Sequence, residues 1–343
     1  MQYEALPNFS NLGPYGVEPG ASPARSITIF AHLLSDRLDE FLIQNLYAAA
    51  ACRSFNHARL FVFHHNGPPF HRDITKMNTN ITYGWQGDGT ASVPLDYFDS
   101  SHSAALRAGS PVWYEQSCDK PDLMLLPSIM DWRHLGAFER PPRFGLPRDQ
   151  VPTISRAFRS LGVDPNWWYC AATVPDHDAI MNLDEFSAAL RVAADIIVKE
   201  RGACLVLVGD PATKLGPLPD RVIDARSLPG GIFGQAYAIS RARFLFDFFP
   251  SPWLWLAFGL DTPWLRRADT HASIPLPGRG LIFAAPSTSD GRSRTASAVT
   301  AMIQETEDCP MWRYDPRDNF SPAKNRMDLP MPWGPNARVI NID

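Results

Sequence analysis

The stretch ACLVLVGD, residues 203–210, restricts the fold more than any other. Six apolar residues in a row, closed by Gly209-Asp210, are too few for a stable helix and suit a strongly buried strand. The twenty residues before it, LDEFSAALRVAADIIVKERG (183–202), read as a helix ending at Gly202. NWWYCAATV (166–174) before that reads as another strand. A strand, a crossover helix and a second strand imply parallel pairing. The pattern continues: RVIDAR (221–226) as a short strand, GQAYAISRA (234–242) as a helix and RFLFDFF (243–249) as a strand. SPWLWLAFGLDTP (251–263) then suits a helix entered at Ser251-Pro252, and PGRGLIFAAP (277–286) a last strand. This order predicts a doubly wound α/β domain.

The first half opens with the same device. SITIFAH (26–32) suits a buried strand, Ser35-Asp36 a cap, and Leu38, Phe41, Leu42, Leu46 and Ala49 recur at the spacing of an amphipathic helix. ARLFVFHH (58–65) is the second strand of a βαβ unit. Residues 66–150 mix turn dipeptides with short apolar pieces such as PDLMLLPS (121–128), and suggest one or two strands and helices among long loops. RFGLPRDQVP (143–152) reads as a boundary, followed by the helical TISRAFRSLGV. The expected organisation is an irregular arm over 1–25, an α/β domain over 26–150, a second over 151–300, and a tail over 301–343 that packs back on the domains.

At 343 residues, 45% hydrophobic and 20% charged, the chain has ample material for a core and is neither disordered nor fibrous. A net charge of −4 argues against holding nucleic acid by phosphate neutralisation. The five cysteines (Cys52, Cys118, Cys170, Cys204, Cys309) form no CxxC pair, which fits a reducing, cytoplasmic setting. The N-terminus lacks the basic start and apolar run of a signal peptide, and the most apolar stretch, 244–260, is interrupted by Asp247, Pro250 and Pro252. No transmembrane segment is expected.

Four pieces of the second half carry a resemblance: LVLVGD (205–210), RVIDAR (221–226), AISRARFLFDFF (238–249) and SPWLWLAFGLDTP (251–263). In order and spacing they resemble the second domain of a bacterial family of GT-B glycosyltransferases related to heptosyl- and fucosyltransferases. The resemblance covers about a third of the chain. It implies two Rossmann-like domains with a cleft between them, and a metal-independent transferase moving a sugar from a nucleotide-sugar donor to an acceptor (glycan, protein or small molecule), with no cofactor. Two departures stand out. The stretch YCAATVPDHD has no Arg where the family carries a cationic motif, with His177 beyond it, and the helix start reads Ser251-Pro252-Trp253 where the family has Ser-Gly. They motivate an alternative, a GT-B-shaped binding or partner protein.

Open α/β sheets bind ligands at the carboxyl ends of their strands, so Gly209, Asp210, Asp224, Arg226 and Ser251 are the candidate donor-nucleotide residues. Asp224 would bond a ribose or base and Arg226 a phosphate, or else the aspartates cap turns. His32 is the candidate general base facing the nucleotide across the cleft, and Asp36 its partner or a helix cap. His64 and His65 are the acceptor-side candidates. The segment HHNGPPFHRD (64–73) also contains His71-Arg72-Asp73, the H-x-D of non-haem iron oxygenases, with His102 or His134 as the third ligand; the plainer reading is a strand end and loop. Trp85, Trp113 and Trp132 fall in loop-rich stretches suited to stacking on a sugar, whereas Trp253, Trp255 and Trp264 fall on an apolar helix and suit the core.

Overall fold

The computed structural model describes residues 27–55, 57–65, 67–87, 122–137, 142–164, 168–175, 183–248, 251–268, 280–284, 290–307 and 338–340. The expected N-terminal arm, His102, Trp113, His177, Cys118, Cys309 and most of the expected tail lie outside them. The chain divides into two compact units: residues 1–36 with 43–142, and residues 37–42 with 143–343.

The first unit holds β1 (Ile27–Leu33), α1 (Leu38–Arg53) from Ile43 onward, β2 (Ala58–His65), α2 (Phe70–Met77), β3 (Ile81–Gly87) and β4 (Leu123–Leu125). Its sheet runs β3-β2-β1-β4, with every pairing parallel. The expected strand–helix–strand is present, with Ile27 opposite Ala58 and Leu33 opposite His64. The expected amphipathic helix is instead buried on all sides from Phe41 to Cys52, including Gln44 and Asn45. Its run of four alanines gives it a small profile, and two buried acceptors on it are bonded: the Leu34 N–H donates to Gln44 Oε1 (3.1 Å), and Asn78 Nδ2 donates to the Asn45 backbone carbonyl (3.2 Å).

The second unit holds α3 (Val151–Ser160), β5 (Tyr169–Thr173), α4 (Leu183–Ala194), β6 (Cys204–Val208), β7 (Val222–Asp224), α5 (Ile232–Arg241), β8 (Leu245–Asp247), α6 (Pro252–Gly259), β9 (Trp264–Ala268), β10 (Gly280–Ala284), α7 (Asp290–Glu307) and β11 (Arg338–Ile340). The α4 helix runs on as a π turn over Asp195–Glu200 and stops before Gly202, whose φ of 66° needs no side chain. The described strands form a parallel sheet in the order β11-β10-β9-β8-β5-β6-β7. All five residues of both β5 and β6 are buried, as a sheet covered on both faces requires. Phe246 and Phe248 stack at 3.9 Å between ring centroids, and Phe186 meets Phe248 edge-on at 5.2 Å. Such side chains, each contributing about 1.5–3 kcal/mol on burial, anchor the core.

Two corrections concern this unit. Trp264 opens β9 and does not belong to the apolar helix, which ends at Gly259; Asp261, at a φ of 57°, turns the chain. The strand over 280–284 is not the last, since α7 and β11 follow. No helix among the described residues is long and apolar enough to cross a membrane.

Both sheets share one plan. In each, the chain runs outward through three strands (β1-β2-β3 and β5-β6-β7) and then returns to the far side of the first (β4 and β8). The point of reversal lies beside β1 in one unit and beside β5 in the other. Neighbouring crossovers there go to opposite faces and leave a crevice at the strands' carboxyl ends.

Candidate functional site

In the second unit the loops after β6 and β7 are tied together by two buried side chains. Arg226 is 8% exposed. Its Nε donates to Asp224 Oδ1 (2.8 Å) and its Nη2 to Asp224 Oδ2 (2.8 Å), a bidentate pair. Its Nη1 donates to the carbonyls of Asp210 (2.9 Å) and Thr213 (2.7 Å). The Arg226 hydrogen bond, opposed by burial, holds the Asp224 carboxyl below its usual range. From α5, Gln235 Nε2 donates to the Arg226 carbonyl (2.7 Å), and Gln235 Oε1 accepts from the Gly209 N–H (3.0 Å). Gly209 is obligatory: its φ is 136°, and a Cβ would stand 3.0 Å from the Val174 carbonyl oxygen. Asp210 Oδ1 accepts the Ala212 N–H at 2.8 Å. Gly209, Asp210, Asp224 and Arg226 are therefore brought to one edge, as expected from sequence. Arg226 differs from the expectation in one respect: its guanidinium is committed to the protein and shapes the 209–213 loop.

The reversal point between β5 and β8 holds a second constellation. Asp247 ends β8 and is 0% exposed. Its Oδ1 accepts from Thr173 Oγ1 on β5 (3.0 Å) and from Ser251 Oγ (2.6 Å). Ser251 precedes α6, but its hydroxyl turns to Asp247 and does not cap the helix. Among the described residues Asp247 Oδ2 has no hydrogen-bond partner, and the buried Trp253 Nε1 in the first turn of α6 has none either. Burial pushes the Asp247 carboxyl up to about 6, against the opposing pull of Arg266, Ser251 and Thr173. Arg266 sits opposite Asp247 in the β8–β9 register and is half-buried, while its neighbour Arg267 pairs with Glu185. The edge thus combines a cation, a helix start and a buried acceptor. Of these residues only Ser251 is a donor-site candidate from sequence, where Trp253 is expected in the core. Asp247 was visible as a lone acid in FLFDFF, an apolar strand in which an unpaired carboxylate is costly.

In the first unit, His32 lies inside β1, 0% exposed, with its ring 4.9 Å from that of Phe30 and 5.2 Å from that of Phe63. Burial pushes its imidazole down to about 3. A ring that stays neutral and sealed from solvent is unsuited to take a proton from an acceptor, so the expectation of His32 as base gives way to a core role. Asp36 follows β1, with a side chain 69% exposed. His71 Nε2, on α2, lies 2.8 Å from the Ser35 carbonyl and 4.0 Å from Asp36 Oδ1. Gly67 allows this approach, since a Cβ there would stand 2.3 Å from His71 Cε1 and 3.0 Å from Asp36 Oδ1. His64 is buried, its ring edge-on to His71 at 5.9 Å, and His65 ends β2.

The iron-oxygenase alternative is corrected by the same helix. His71, Ile74 and Met77 form the buried face of α2, so Asp73, two positions after His71, is turned away by about 200°. Among the described residues no group of three His, Cys, Asp or Glu side chains is placed to hold a metal ion.

No protein-family model matches the chain. No curated protein matches it either. Among solved structures it is similar to a family 9 glycosyl transferase from Veillonella parvula DSM 2008, at 10% identity and a TM-score of 0.58, covering 83% of this chain and 99% of that one. It is also similar to the E. coli ADP-heptose LPS heptosyltransferase II, at 10% identity and a TM-score of 0.51, covering 82% and 100%. At these identities the shared property is the fold. The chain has a GT-B-like α/β fold of two Rossmann-like units.

Proposed function

We propose that the protein is a glycosyltransferase that moves a sugar from a nucleotide-sugar donor to an acceptor hydroxyl. The observation that carries this reading is the β5–β8 reversal point, where Asp247, Ser251, Trp253 and Arg266 gather polar groups on a GT-B-like fold. In this reading the donor's nucleoside diphosphate lies along the carboxyl edge of the second unit. Arg266 and the start of α6 neutralise its phosphates, since a helix N-terminus carries roughly half a positive charge. The 209–213 and 224–226 loops, held by Arg226 and Gln235, form the floor, with Gly209 giving close backbone approach and Asp210 and Asp224 at its border. Asp36 replaces His32 as the base. It is an exposed carboxyl group following β1, while His71 steadies its loop. His64 and His65 at the end of β2 border the acceptor side.

The chemistry balances with these groups alone. Asp36 takes the hydroxyl proton, the acceptor oxygen forms a bond to the anomeric carbon, and the bond from that carbon to the phosphate oxygen breaks. The leaving diphosphate keeps the electron pair, stabilised where Arg266 and the helix start are already placed. Because cationic protein groups do this work, the reading assigns no metal to the reaction.

The test is to incubate the protein with UDP-, GDP- and ADP-sugars, with and without a glycan and peptide acceptor panel, and to measure released nucleoside diphosphate. Release well above the protein-free rate from one nucleotide class is expected; no release and no binding would refute the proposal. Binding without release would favour the second reading, a partner protein, which the proline at the first position of α6 supports by removing an N–H from the proposed phosphate seat.

A further inference from the structure

Asp247 is a fully buried carboxyl at the end of β8. Two hydroxyls from two different elements, Thr173 on β5 and Ser251 before α6, both bond Oδ1, which fixes the carboxyl plane at the reversal point. Among the described residues Oδ2 has no partner, although Asp247 is fully buried. Buried polar atoms are paired in the great majority of cases, and an orphan at a crevice calls for an occupant. A second orphan, Trp253 Nε1, lies six residues on, in the first turn of α6.

We infer that Asp247 Oδ2 is the acceptor for a hydroxyl of a ribose or hexose ring, and that this residue selects hydroxyl-bearing ligands at the β5–β8 crevice. The inference rests on the donor-binding reading above and adds to it the group that Asp247 recognises. Three chemical arguments favour a hydroxyl. A phosphate oxygen would place two anions in contact. An ammonium would bring a second cation to a carboxylate that Arg266 already attends. A neutral hydroxyl donates to Oδ2 without burying further charge, and its oxygen stays free to accept from a donor such as the indole N–H. A site built to bond a hydroxyl rejects the analogue lacking it, because its own buried group is then left unpaired.

The experiment measures nucleotide affinity by calorimetry for the parent protein and for Asp247→Asn, which preserves shape and the Oδ1 bonds but turns the open position into a donor. The probes are UDP, GDP and ADP, the 2′-deoxy and 3′-deoxy forms of whichever binds, and that nucleotide's hexose derivative with its 2-deoxy analogue. In the parent, removing one hydroxyl is expected to weaken binding about tenfold, the size of one hydrogen bond of about 1.4 kcal/mol. In Asp247→Asn the same removal is expected to cost clearly less, because a neutral amide N–H bonds the hydroxyl oxygen more weakly than a carboxylate accepts its proton. The ribose arm and the hexose arm then show which ring supplies the group. Losses that simply add in both arms overturn the inference and leave the donor-binding reading standing. A parent that binds none of the three nucleotides overturns both. The deoxy series on the parent needs no variant, so the inference stays refutable even if Asp247→Asn fails to fold.

Discussion

Arg226→Ala removes a clamp, and its cost follows from the contacts. The guanidinium bonds the carbonyls of Asp210 and Thr213 and pairs with Asp224, with side-chain exposures of 6% for Arg226 and 39% for Asp224. Charge-assisted hydrogen bonds contribute about 1.5–3 kcal/mol each. The half-exposed Asp224 partner is screened, so its pair is discounted to about 1 kcal/mol. Solvent reaching the freed carbonyls recovers part of the rest, which leaves a loss of about 3–5 kcal/mol. For a unit of this size that corresponds to roughly a 10 °C fall in melting temperature. Arg226→Lys keeps the charge but not the planar fork, and should recover less than half of the loss. Urea unfolding followed by circular dichroism, with m held constant, measures it. There is also a pH signature. Asp224 has a lowered folded pKa, so its pair contributes fully above the unfolded value near ~3.9 and is lost as pH falls through the lowered folded value. The stability gap between parent and variant should therefore narrow below about pH 4. A variant within about 1 kcal/mol of the parent at pH 7 would show that the guanidinium does not organise these loops.

Three further outcomes are expected. Asp247 has a folded pKa raised to about 6, so the folded chain binds the extra proton, and its contribution to stability declines as pH rises from about 4 to 6. Asp247→Asn should remove about 3 kcal/mol of that slope and stabilise the protein at pH 7, with Arg266, Thr173 and Ser251 as the facing groups; parallel unfolding curves at pH 4.5 and 7 would contradict this. Gly209→Ala should cost about 1–3 kcal/mol through its positive φ and the nearby Val174 carbonyl, read from thermal unfolding. Gly67→Ala should displace the His71 ring, free the Ser35–Asp36 loop and lower turnover with little effect on nucleotide affinity; an unchanged kcat would separate that loop from the chemistry.

The fold was legible where the chain repeats one simple instruction. Short apolar strands such as ACLVLV alternate with helices of three- to four-residue period, and parallel pairing follows from connection length alone. Legibility failed where two elements share one apolar run, as at α6 and β9, and where paired arginines broke the pattern of β9. It also failed at α2, because Pro68-Pro69 looked like a loop although proline suits the first turn of the helix that begins at Phe70. The donor-edge residues were found from their position after strands, which topology fixes. Their roles were not, because a guanidinium facing a ligand and one bonded to its own loop have the same sequence. His32 shows the converse: a histidine at the end of the expected strand is the candidate base in sequence, and in β1, which runs on to Leu33, its ring lies against those of Phe30 and Phe63.

A crystal structure with a bound nucleoside diphosphate tests the central claim most directly. The account predicts the diphosphate at the start of α6 within hydrogen-bonding reach of Arg266, with a ring hydroxyl on Asp247 Oδ2 and the Arg226 bonds to Asp210, Thr213 and Asp224 intact. A nucleotide bound away from the carboxyl edge of the second unit, with Asp247 Oδ2 still unpartnered, would contradict it.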